Sequence, residues 1–414
     1  MSSIESELTA CPVCGELDAV DTVERKRLPA MQNYVYRDAQ SSRAAPRGRL
    51  LLAVCRICGF AWNRTFDASL LVYDEGYDNA VPSEVMQAYY TEIAGFLNES
   101  YALDNGVVVD VGCGDGGFLR SLCASVPGSR GLGIDPALAH DRVEEEGRVR
   151  LVKALFSVGA VTEPPSLVVS RHVLEHMPKP VSFLQAIGAA LAEFGPRPCF
   201  FEVPDVHWII DHDAFWDFCY EHCNYFTKES FAEALRRAGF EPMGARSAFG
   251  SQYLWIEATS NAGGSPRVGE RVGLELAERM RRYAAAENER IDSMRTRLSE
   301  LKRDGSAIAV WGMATKGVLF SILVDPDGSL IDFCVDVNAN KQGCFVPLTG
   351  HLISAPTVLR EHARNRPLTV VVMNENYRDE IERACRAMGV KASFARLADA
   401  ESRTGQTPVA ARAT

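Results

Sequence analysis

The chain has 414 residues, and its 44 Lys and Arg residues against 54 Asp and Glu residues give a formal net charge of −10. Hydrophobic residues make up 47% of the chain and charged residues 24%, a composition typical of globular domains that excludes disorder over most of the length. The length predicts two or three domains. The acidic balance argues against a nucleic-acid partner, because a polyanion would be repelled.

The sequence carries neither a membrane span nor an export signal. It has no apolar run of about 18 residues, and its first residues, MSSIESELTACPVC, are polar and acidic rather than basic and then apolar. We therefore expect a cytoplasmic protein without a membrane partner. Twelve cysteines in such a chain favour reduced thiols and a metal site over disulfides.

Four of the cysteines form two C-x2-C pairs, Cys11 with Cys14 and Cys55 with Cys58, and a glycine follows each pair. Four thiolates complete the tetrahedral shell that Zn²⁺ prefers, and the glycines let the backbone turn tightly. Such a closed shell has no open position for a substrate, so the metal would be structural. Four isolated small hydrophobic residues are the alternative. We assign residues 1–75 to a zinc-binding domain.

Residues 66–105 are rich in tyrosine and predict a helical lead-in to a second domain, with most tyrosines in packing roles. A β-branched strand then ends near Asp110 and is followed by a glycine turn and a helix. Asp135, which closes the next short strand, lies 21 residues after Gly114 of that turn. This spacing suits a carboxylate that binds ribose hydroxyls, while glycines let a cofactor approach the backbone.

The D-x-G-x-G-x-G segment resembles the S-adenosylmethionine (SAM) loop of class I methyltransferases. The resemblance implies that Gly112, Gly114 and Gly116 flank the methionine part of SAM, with Asp110 at the end of the strand beside them. It also implies that Asp135 holds the ribose. A dinucleotide-binding Rossmann site is the alternative.

A later strand, residues 166–171, runs into the sequence R-H-V-L-E-H. Its carboxyl end should lie beside the cofactor crevice, and we therefore predict that Arg171 and His172 contact the cofactor. His172 and His176 lie four residues apart beside an acid, and residues of these types can bind a metal ion. Two prolines bound this loop, so it lacks the long helix that an H-E-x-x-H zinc site needs, and a metal is the less favoured interpretation.

Aromatic side chains crowd residues 208–226, with Glu221 and His222 at the centre. A core gains nothing from an ionisable pair that it must desolvate. Histidine titrates near neutrality, and a neighbouring carboxylate can orient the ring and raise its basicity, as a general base requires. A hydrogen-bonded histidine under an aromatic lid is the alternative. We assign residues 76–262 to one α/β domain.

Residues 263–304 combine linker composition with a long amphipathic helix, in which apolar residues recur mostly three and four positions apart. Its charged face is expected to be solvated. The apolar face leaves two possibilities open, a dimer seam or packing within the same chain, and we expect a monomer or a homodimer.

Residues 305–400 predict a second Rossmann-like α/β domain. Its first turn, G-x-x-x-K-G, places Lys316 at a helix start, where a lysine beside glycine N–H groups can hold a phosphate. Asn338 and Lys341 follow a later strand of this domain. Residues 401–414 have the composition of a disordered tail.

The order of these features resembles the zinc-containing C-methyltransferases of nucleotide-deoxysugar biosynthesis, over nearly the whole chain. The features are the cysteine pairs, the SAM-type domain, the aromatic E-H segment, the linker helix and a last domain that begins W-G-x-x-x-K-G and continues D-x-N-x-x-K-Q-G. The resemblance implies an α/β protein with a four-cysteine zinc-binding domain, a Rossmann-like class I methyltransferase domain and a second Rossmann-like C-terminal domain.

The resemblance also implies roles for residues. His222 would remove the proton next to a sugar ketone, with Glu221 beside it, and His176 and Tyr77 would correspond to further catalytic positions. The cofactors would be SAM and a structural Zn²⁺. The substrate would be a nucleotide-linked 4-keto-deoxysugar, a small molecule, methylated on carbon through an enolate.

One departure from the family pattern affects the site. Members often contain Y-H-E-H, whereas this chain has Cys219 at the tyrosine position. Either Tyr220 or Tyr225 would then supply the hydroxyl, or the chemistry differs from that of the family. The predicted substrate-binding residues are Lys316, Tyr225, Asn338 and Lys341.

Two other functions stay open at this point. Methylation of oxygen or nitrogen on a sugar or another small natural product would need the same SAM site. A non-catalytic zinc-ribbon binding module is the more remote alternative.

Overall fold

The protein is described here by a computed structural model, which covers residues 10–74, 76–266, 271–363, 366–395 and 397. These residues form three β-sheets of four, eight and five strands. The predicted disordered tail lies outside the described residues.

The first sheet is antiparallel and is built mainly from the N-terminal region. In chain order its strands are β1 (Ala19–Pro29), β2 (Arg47–Cys55), β3 (Ala61–Asn63) and β10 (Asn224–Tyr225). The strand β10 comes from the aromatic segment and pairs with β3, Asn224 opposite Trp62. The sheet of the predicted zinc-binding domain is therefore completed by residues that the sequence assigned to the next domain. A short helix, α1 (Ala39–Arg43), lies between β1 and β2.

The second sheet has eight strands and a parallel core. Its strands are β4 (Val107–Val111), β5 (Arg130–Ile134), β6 (Arg142–Glu144), β7 (Val149–Val152), β8 (Leu167–Arg171), β9 (Pro198–Pro204), β11 (Glu241–Ala248) and β12 (Tyr253–Thr259). The order across the sheet is β11-β12-β9-β8-β4-β5-β7-β6. The helices of this region are α2 (Glu84–Tyr101), α3 (Gly117–Ser125), α4 (Pro180–Leu191), α5 (Val206–Asp211) and α6 (Lys228–Arg237).

The parallel core explains both the sequence pattern and the position of the crevice. All five residues of β4 are buried, as expected of a strand covered on both faces. The chain passes from β4 to β5 on one side, and β8 pairs with β4 on the other. A ligand crevice opens at the carboxyl ends of strands at such a reversal of strand order. It lies here between the glycine turn after β4 and the loop after β8.

The predicted helical lead-in is shorter than the sequence suggested. Helix α2 begins at Glu84, where the Ser83 side chain accepts a hydrogen bond from the Met86 N–H. Before it, the described residues 64–83 are mostly irregular, apart from a 3₁₀ turn at Ala68–Leu70. A cap of this kind starts a helix at a defined residue.

The long helix α7 (Gly273–Arg303) lies within residues 263–304, the region predicted to contain a linker and an amphipathic helix, and residues 271–272 are not helical. Its apolar stripe shares one core with the N-terminal sheet and the C-terminal domain. Arg25 of β1 and Glu287 of this helix form a buried ion pair at 2.5 Å. The apolar face of the helix is thus packed within its own chain.

The third sheet is fully parallel, in the order β15-β14-β13-β16-β17. Its strands are β13 (Ala307–Trp311), β14 (Phe333–Val335), β15 (Ile353–Ser354), β16 (Leu368–Val372) and β17 (Ser393–Ala395). Its helices are α8 (Thr315–Val324), α9 (Leu359–His362) and α10 (Arg378–Ala387). Within the part of the chain that the structure describes, every helix is too short or too polar to cross a membrane.

Candidate active site

The four cysteines predicted to bind metal come together in the folded chain. All four are buried, and their sulfur atoms lie within 4.8 Å of one another. The Sγ atoms of Cys11 and Cys58 are 3.6 Å apart, and those of Cys14 and Cys55 are 3.4 Å apart. Four Zn–S bonds of about 2.3 Å place thiolates roughly 3.8 Å apart, whereas a disulfide needs about 2.05 Å. The donor set therefore fits Zn²⁺.

The glycine turn after β4 has a backbone that glycine adopts at low cost. The φ angles are 79° at Gly112, 56° at Gly114 and 87° at Gly116. A Cβ atom on Gly112 would lie 2.3 Å from the loop after β8, whereas one on Gly114 would meet nothing closer than 3.8 Å. Asp135 accepts a hydrogen bond from the Gly114 N–H at 2.9 Å. The turn and the acid that the sequence paired therefore form one crevice.

A buried charge network centred on Glu202 lies under this crevice. Arg171 donates to Glu202 Oε1 at 2.8 Å, and its guanidinium lies 4.7 Å from the centre of the Phe118 ring. His172 Nε2 is 2.8 Å from the same oxygen, and the His172 side chain keeps 32% of its surface exposed. The carboxylate Oδ1 of Asp110 is buried without a hydrogen-bond partner among the described residues. Arg171, predicted to contact the cofactor, is paired with Glu202 in this structure.

Burial and charge act against each other in this network. Burial opposes the charged form of His172, but Glu202 and Glu175 together outweigh it and raise the His172 pKa to about 9. Burial likewise opposes the Glu202 carboxylate, and Arg171 and His172 lower its pKa to about 2. Burial raises the pKa of Asp110 to about 7. The network is held by paired charges, with Asp110 poised between its two protonation states.

Two histidines from different parts of the chain meet next to this network. His176 ends a 3₁₀ turn after β8, and His222 comes from the aromatic segment. Their rings are nearly perpendicular, at 86°, with centroids 4.9 Å apart. His176 Nδ1 lies 3.1 Å from the backbone oxygen of Glu221 and 3.2 Å from the Tyr73 hydroxyl. Burial raises the pKa of Tyr73, which keeps that hydroxyl protonated.

The Glu221 carboxylate does not orient His222, contrary to the prediction. Its Oε2 accepts a hydrogen bond from the Gln32 N–H at 3.1 Å, and its Oε1 lies 4.0 Å from His176 Nδ1. Tyr77 lies half-buried beside it, and burial together with the Glu221 charge raises the Tyr77 pKa. Glu221 thus faces the N-terminal segment and His176. Adjacent side chains in irregular backbone commonly point apart, which sequence proximity cannot reveal.

The surroundings of His222 also lower its basicity instead of raising it. Burial, and then the charge of His176, lower the His222 pKa to about 3, while Glu175 acts in the opposite direction. His222 is therefore neutral near pH 7 and able to accept a proton. Its protonated form needs a compensating negative charge.

The two tyrosines predicted to replace the missing hydroxyl have other partners. The Tyr220 hydroxyl bonds to the backbone N–H and carbonyl of Asp67, at 2.7 and 3.2 Å. The Tyr225 hydroxyl bonds to the backbone N–H and carbonyl of Cys219, at 2.9 and 3.0 Å. Cys219 itself accepts a hydrogen bond from the His222 N–H through Sγ, at 3.4 Å. Tyr225 and Cys219 thus hold the backbone around His222, whereas Tyr220 ties its segment to Asp67 of the N-terminal region.

The predicted substrate-binding residues of the C-terminal domain are paired with protein groups. Lys316 Nζ lies 2.6 Å from both carboxylate oxygens of Asp217. Asn338 donates to Asp78 Oδ1 at 2.8 Å, and Lys341 donates to Asn33 at 3.0 Å. Lys316 is thus not a free phosphate ligand in this conformation. The other two connect the C-terminal domain to the segments that carry Tyr77 and Gln32.

Two residues of the histidine cluster were not singled out from the sequence. Tyr73 was one of many tyrosines in the lead-in, and no spacing distinguished it from Tyr77. Glu175 was noted only as an acid between two histidines. Its position in H-x-x-E-H, directly after a strand that ends at the crevice, was the available signal.

Comparison with known proteins decides the class of this chain. Residues 84–243 match the family model of a methyltransferase domain, and residues 266–394 match that of a C-methyltransferase C-terminal domain. The C-methyltransferase NovU of Streptomyces niveus is 25% identical over 403 residues, which cover 92% of this chain and 93% of NovU. The chain is a SAM-dependent methyltransferase.

Solved structures of other methyltransferases align with part of this one. The 1,6-didemethyltoxoflavin-N1-methyltransferase of Burkholderia thailandensis, with S-adenosylhomocysteine bound, is 18% identical, with a TM-score of 0.31 over 44% of this chain and 92% of that chain. The N,N-8-amino-8-demethyl-D-riboflavin dimethyltransferase RosA of Streptomyces davawensis is 20% identical, with a TM-score of 0.33 over 42% of this chain and 55% of that chain.

The crevice of this methyltransferase fits its cofactor. A Cβ atom on Gly114 would come no closer than 3.8 Å to another residue, so a ligand can approach the backbone there. The Asp135 carboxylate lies at the end of β5, where it can accept hydrogen bonds from ribose hydroxyls. Asp110 offers a buried, unpartnered oxygen under the turn. These observations support the cofactor contacts predicted for the glycine turn and the two acids.

Proposed function

We propose that this methyltransferase methylates the carbon next to the ketone of a nucleotide-linked 4-keto-deoxysugar, through an enolate. The observation that carries the proposal is the paired His176 and His222 beside the crevice. Carbon next to a ketone is not nucleophilic until it loses a proton, so such an acceptor requires a base. The C-methyltransferase C-terminal domain and the likeness to the C-methyltransferase NovU support carbon as the acceptor atom.

In this proposal His222 removes the proton from carbon. Its low pKa keeps a ring nitrogen free at neutral pH. The Tyr73 hydroxyl, protonated and 3.2 Å from His176 Nδ1, donates a hydrogen bond to the oxygen on which the enolate charge develops. His176 holds that hydroxyl in place. Glu221 and Tyr77 complete the wall on the N-terminal side.

Bound SAM supplies an electrophilic methyl group on a sulfonium. The glycine turn and Asp110 hold its methionine end, and Asp135 holds its ribose. The aromatic segment covers the histidine pair and keeps water from the enolate. The nucleotide of the substrate is expected in the cleft between the two α/β units, where Lys316 can bind phosphate only by leaving Asp217.

We also propose that the four cysteines bind a structural Zn²⁺. The second cysteine pair links β2 to β3, and β3 pairs with β10 just after His222. A metal at this position would fix the sheet that carries the base. The closed four-sulfur shell leaves no position for a substrate.

NMR in D₂O tests the proposed reaction. The purified protein is incubated with dTDP-4-keto-deoxysugars, first without SAM and then with methyl-labelled SAM, beside a protein-free blank. We expect deuterium to enter the carbon next to the ketone faster than in the blank, and the labelled methyl to appear on that carbon. Label on oxygen or nitrogen without exchange would refute the enolate and favour an O- or N-methyltransferase.

A further inference from the structure

Glu175 is a buried carboxylate that no assigned role explains. The residue keeps 1% of its surface exposed, and neither carboxylate oxygen receives a hydrogen bond among the described residues. Burying an ionised carboxylate without such bonds costs several kcal/mol unless opposite charge lies nearby. Imidazole groups lie close enough to supply that charge here.

Three histidines surround this carboxylate. His172 Nδ1 lies 3.3 Å from Glu175 Oε1. One carboxylate oxygen and one ring nitrogen each of His176 and His222 lie within 4.8 Å of one another. His172, His176 and His222 all contribute to holding the Glu175 pKa below its ordinary value against the opposing effect of burial. Glu175 is the acid that these rings share.

The other acid of the site is differently placed. Glu221 Oε2 bonds to the Gln32 N–H, and Oε1 comes no closer than 4.0 Å to His176 Nδ1. Glu175, not Glu221, is the carboxylate whose oxygen lies near ring nitrogens of both histidines. We propose that Glu175 is the positioning residue of proton abstraction, whose charge stabilises the imidazolium that forms on His222.

This inference rests on the proposed function. The proton of the substrate C–H bond moves to a ring nitrogen of His222, and the electron pair of that bond becomes the enolate. The site then holds one new positive and one new negative charge. The Tyr73 hydroxyl donates a hydrogen bond to the enolate oxygen, and the negative charge of the Glu175 carboxylate stabilises the imidazolium. Without Glu175 the imidazolium would form in a buried site beside two other histidines.

The test compares Glu175→Gln, Glu175→Asp and the exposed surface variant Glu229→Gln in the full-length zinc-loaded protein. Solvent exchange of the dTDP-4-keto-deoxysugar is followed in D₂O without SAM, and SAM affinity is measured by calorimetry. For Glu175→Gln we expect the maximal exchange rate to fall on the order of 100-fold. The sugar concentration at half-maximal rate and the SAM Kd should change less than about threefold. Glu175→Asp keeps the charge and should recover most of the rate.

A second measurement does not depend on the substrate. The imidazole resonances of ¹⁵N-labelled histidine are titrated by NMR, and we expect Glu175→Gln to lower the His172 pKa while Glu229→Gln leaves it unchanged. If the wild-type protein shows no exchange but Glu175→Gln still lowers the His172 pKa, the proposed function is refuted. The interaction between the charges of Glu175 and His172 would still stand. Normal exchange by a folded, SAM-binding Glu175→Gln would overturn the inference. The inference would also be overturned if the wild-type protein bound a second equivalent of metal and Glu175→Gln did not. The cluster of Glu175 and the histidines would then be a metal site.

Discussion

His222 lies in surroundings that make it neutral but weakly basic. Burial and the nearby His176 lower its pKa to about 3. A neutral imidazole is ready to accept a proton at pH 7, yet the cost of its positive charge must be met elsewhere in the site. At the scale of single residues, the proposed proton transfer therefore depends on groups that never touch the reacting carbon.

Replacement of His222 separates chemistry from cofactor binding. We expect His222→Ala to reduce methyl transfer and substrate exchange by about 10²- to 10⁴-fold, because the base is lost. SAM affinity, measured by calorimetry, should stay within about twofold of the wild type because His222 lies outside the glycine turn. His212→Ala is the matched control, since His212 is exposed and stacks on Trp208 in the same segment. Retention of most activity by His222→Ala would show that another group is the base.

Replacement of Asp135 should weaken cofactor binding, in contrast to replacement of His222. Hydrogen bonds to charged groups contribute about 1.5–3 kcal/mol, so Asp135→Asn should weaken SAM binding by about 10- to 100-fold. The exposed Asp104→Asn, on the loop before β4, is the control and should bind SAM normally. Titration calorimetry with SAM measures both. An unchanged Kd in Asp135→Asn would remove Asp135 from the cofactor site.

Single elements connect the three sheets. Arg25 of β1 pairs with Glu287 of α7 and also donates to the backbone oxygens of Phe218 and Phe215, at 2.6 and 2.7 Å. The strand thus ties the long helix to the segment that leads into His222. The cysteine cluster anchors the other end of the same sheet. The position of the proposed base is set by elements distant in sequence.

The buried ion pair between β1 and α7 gives a stability prediction. Arg25→Met leaves Glu287 buried and unpaired, and breaking a buried pair in this way costs about 3–5 kcal/mol. The double variant Arg25→Met/Glu287→Leu should recover much of that loss because no isolated charge remains. Arg281→Met, on the exposed side of α7, should change the free energy of unfolding by less than about 0.5 kcal/mol. Urea unfolding followed by circular dichroism measures all three. A single variant as stable as the wild type would refute the structural role of the pair.

The cysteine cluster gives a prediction about metal content. Cys11→Ser should lower bound zinc, measured by elemental analysis of the purified protein, and reduce the yield of folded protein. Cys123→Ser alters another buried cysteine, outside the cluster, and should keep the zinc. Chelation of the wild-type protein should lower its thermal stability. Equal zinc in Cys11→Ser and the wild type would exclude the four-cysteine site.

At the scale of the whole molecule, the charge network under the crevice links stability to pH. The His172 pKa of about 9 lies above its ordinary 6.5. The contribution of His172 to the free energy of unfolding is therefore complete below about pH 6.5 and is lost as pH rises through 9. The Glu202 pKa of about 2 lies below its ordinary 4.5, so its contribution is present above about 4.5 and is lost as pH falls toward 2. The pair stabilises most between those limits.

We therefore expect the free energy of unfolding to decrease between pH 6.5 and pH 9.5. His172→Gln should show a smaller decrease over the same range because the titrating ring is absent. Urea unfolding at intervals of half a pH unit measures this difference. Identical pH dependence in the two proteins would contradict the assigned charge state of His172.

Local sequence was enough to predict the cysteine pairs, the glycine turn with its spaced acid, and the strands β4, β5 and β8 beside the crevice. The four cysteines do cluster, and Asp135 does contact the turn. These features depend on short-range backbone preference and on continuous burial, which β-branched runs, glycines and spacing record directly. For the same reason the α/β class and the C-methyltransferase resemblance followed from the sequence.

Only the tertiary structure decided which side chains face one another. It placed Tyr220 and Tyr225 on backbone groups, paired Lys316 with Asp217 and turned Glu221 away from His222. It brought Glu175, for which no role was predicted from the sequence, to the histidines. It also completed the N-terminal sheet with β10 from residues 224–225. The physical reason is that side-chain direction in irregular segments is set by long-range packing and hydrogen bonding, which composition and spacing along the chain do not encode.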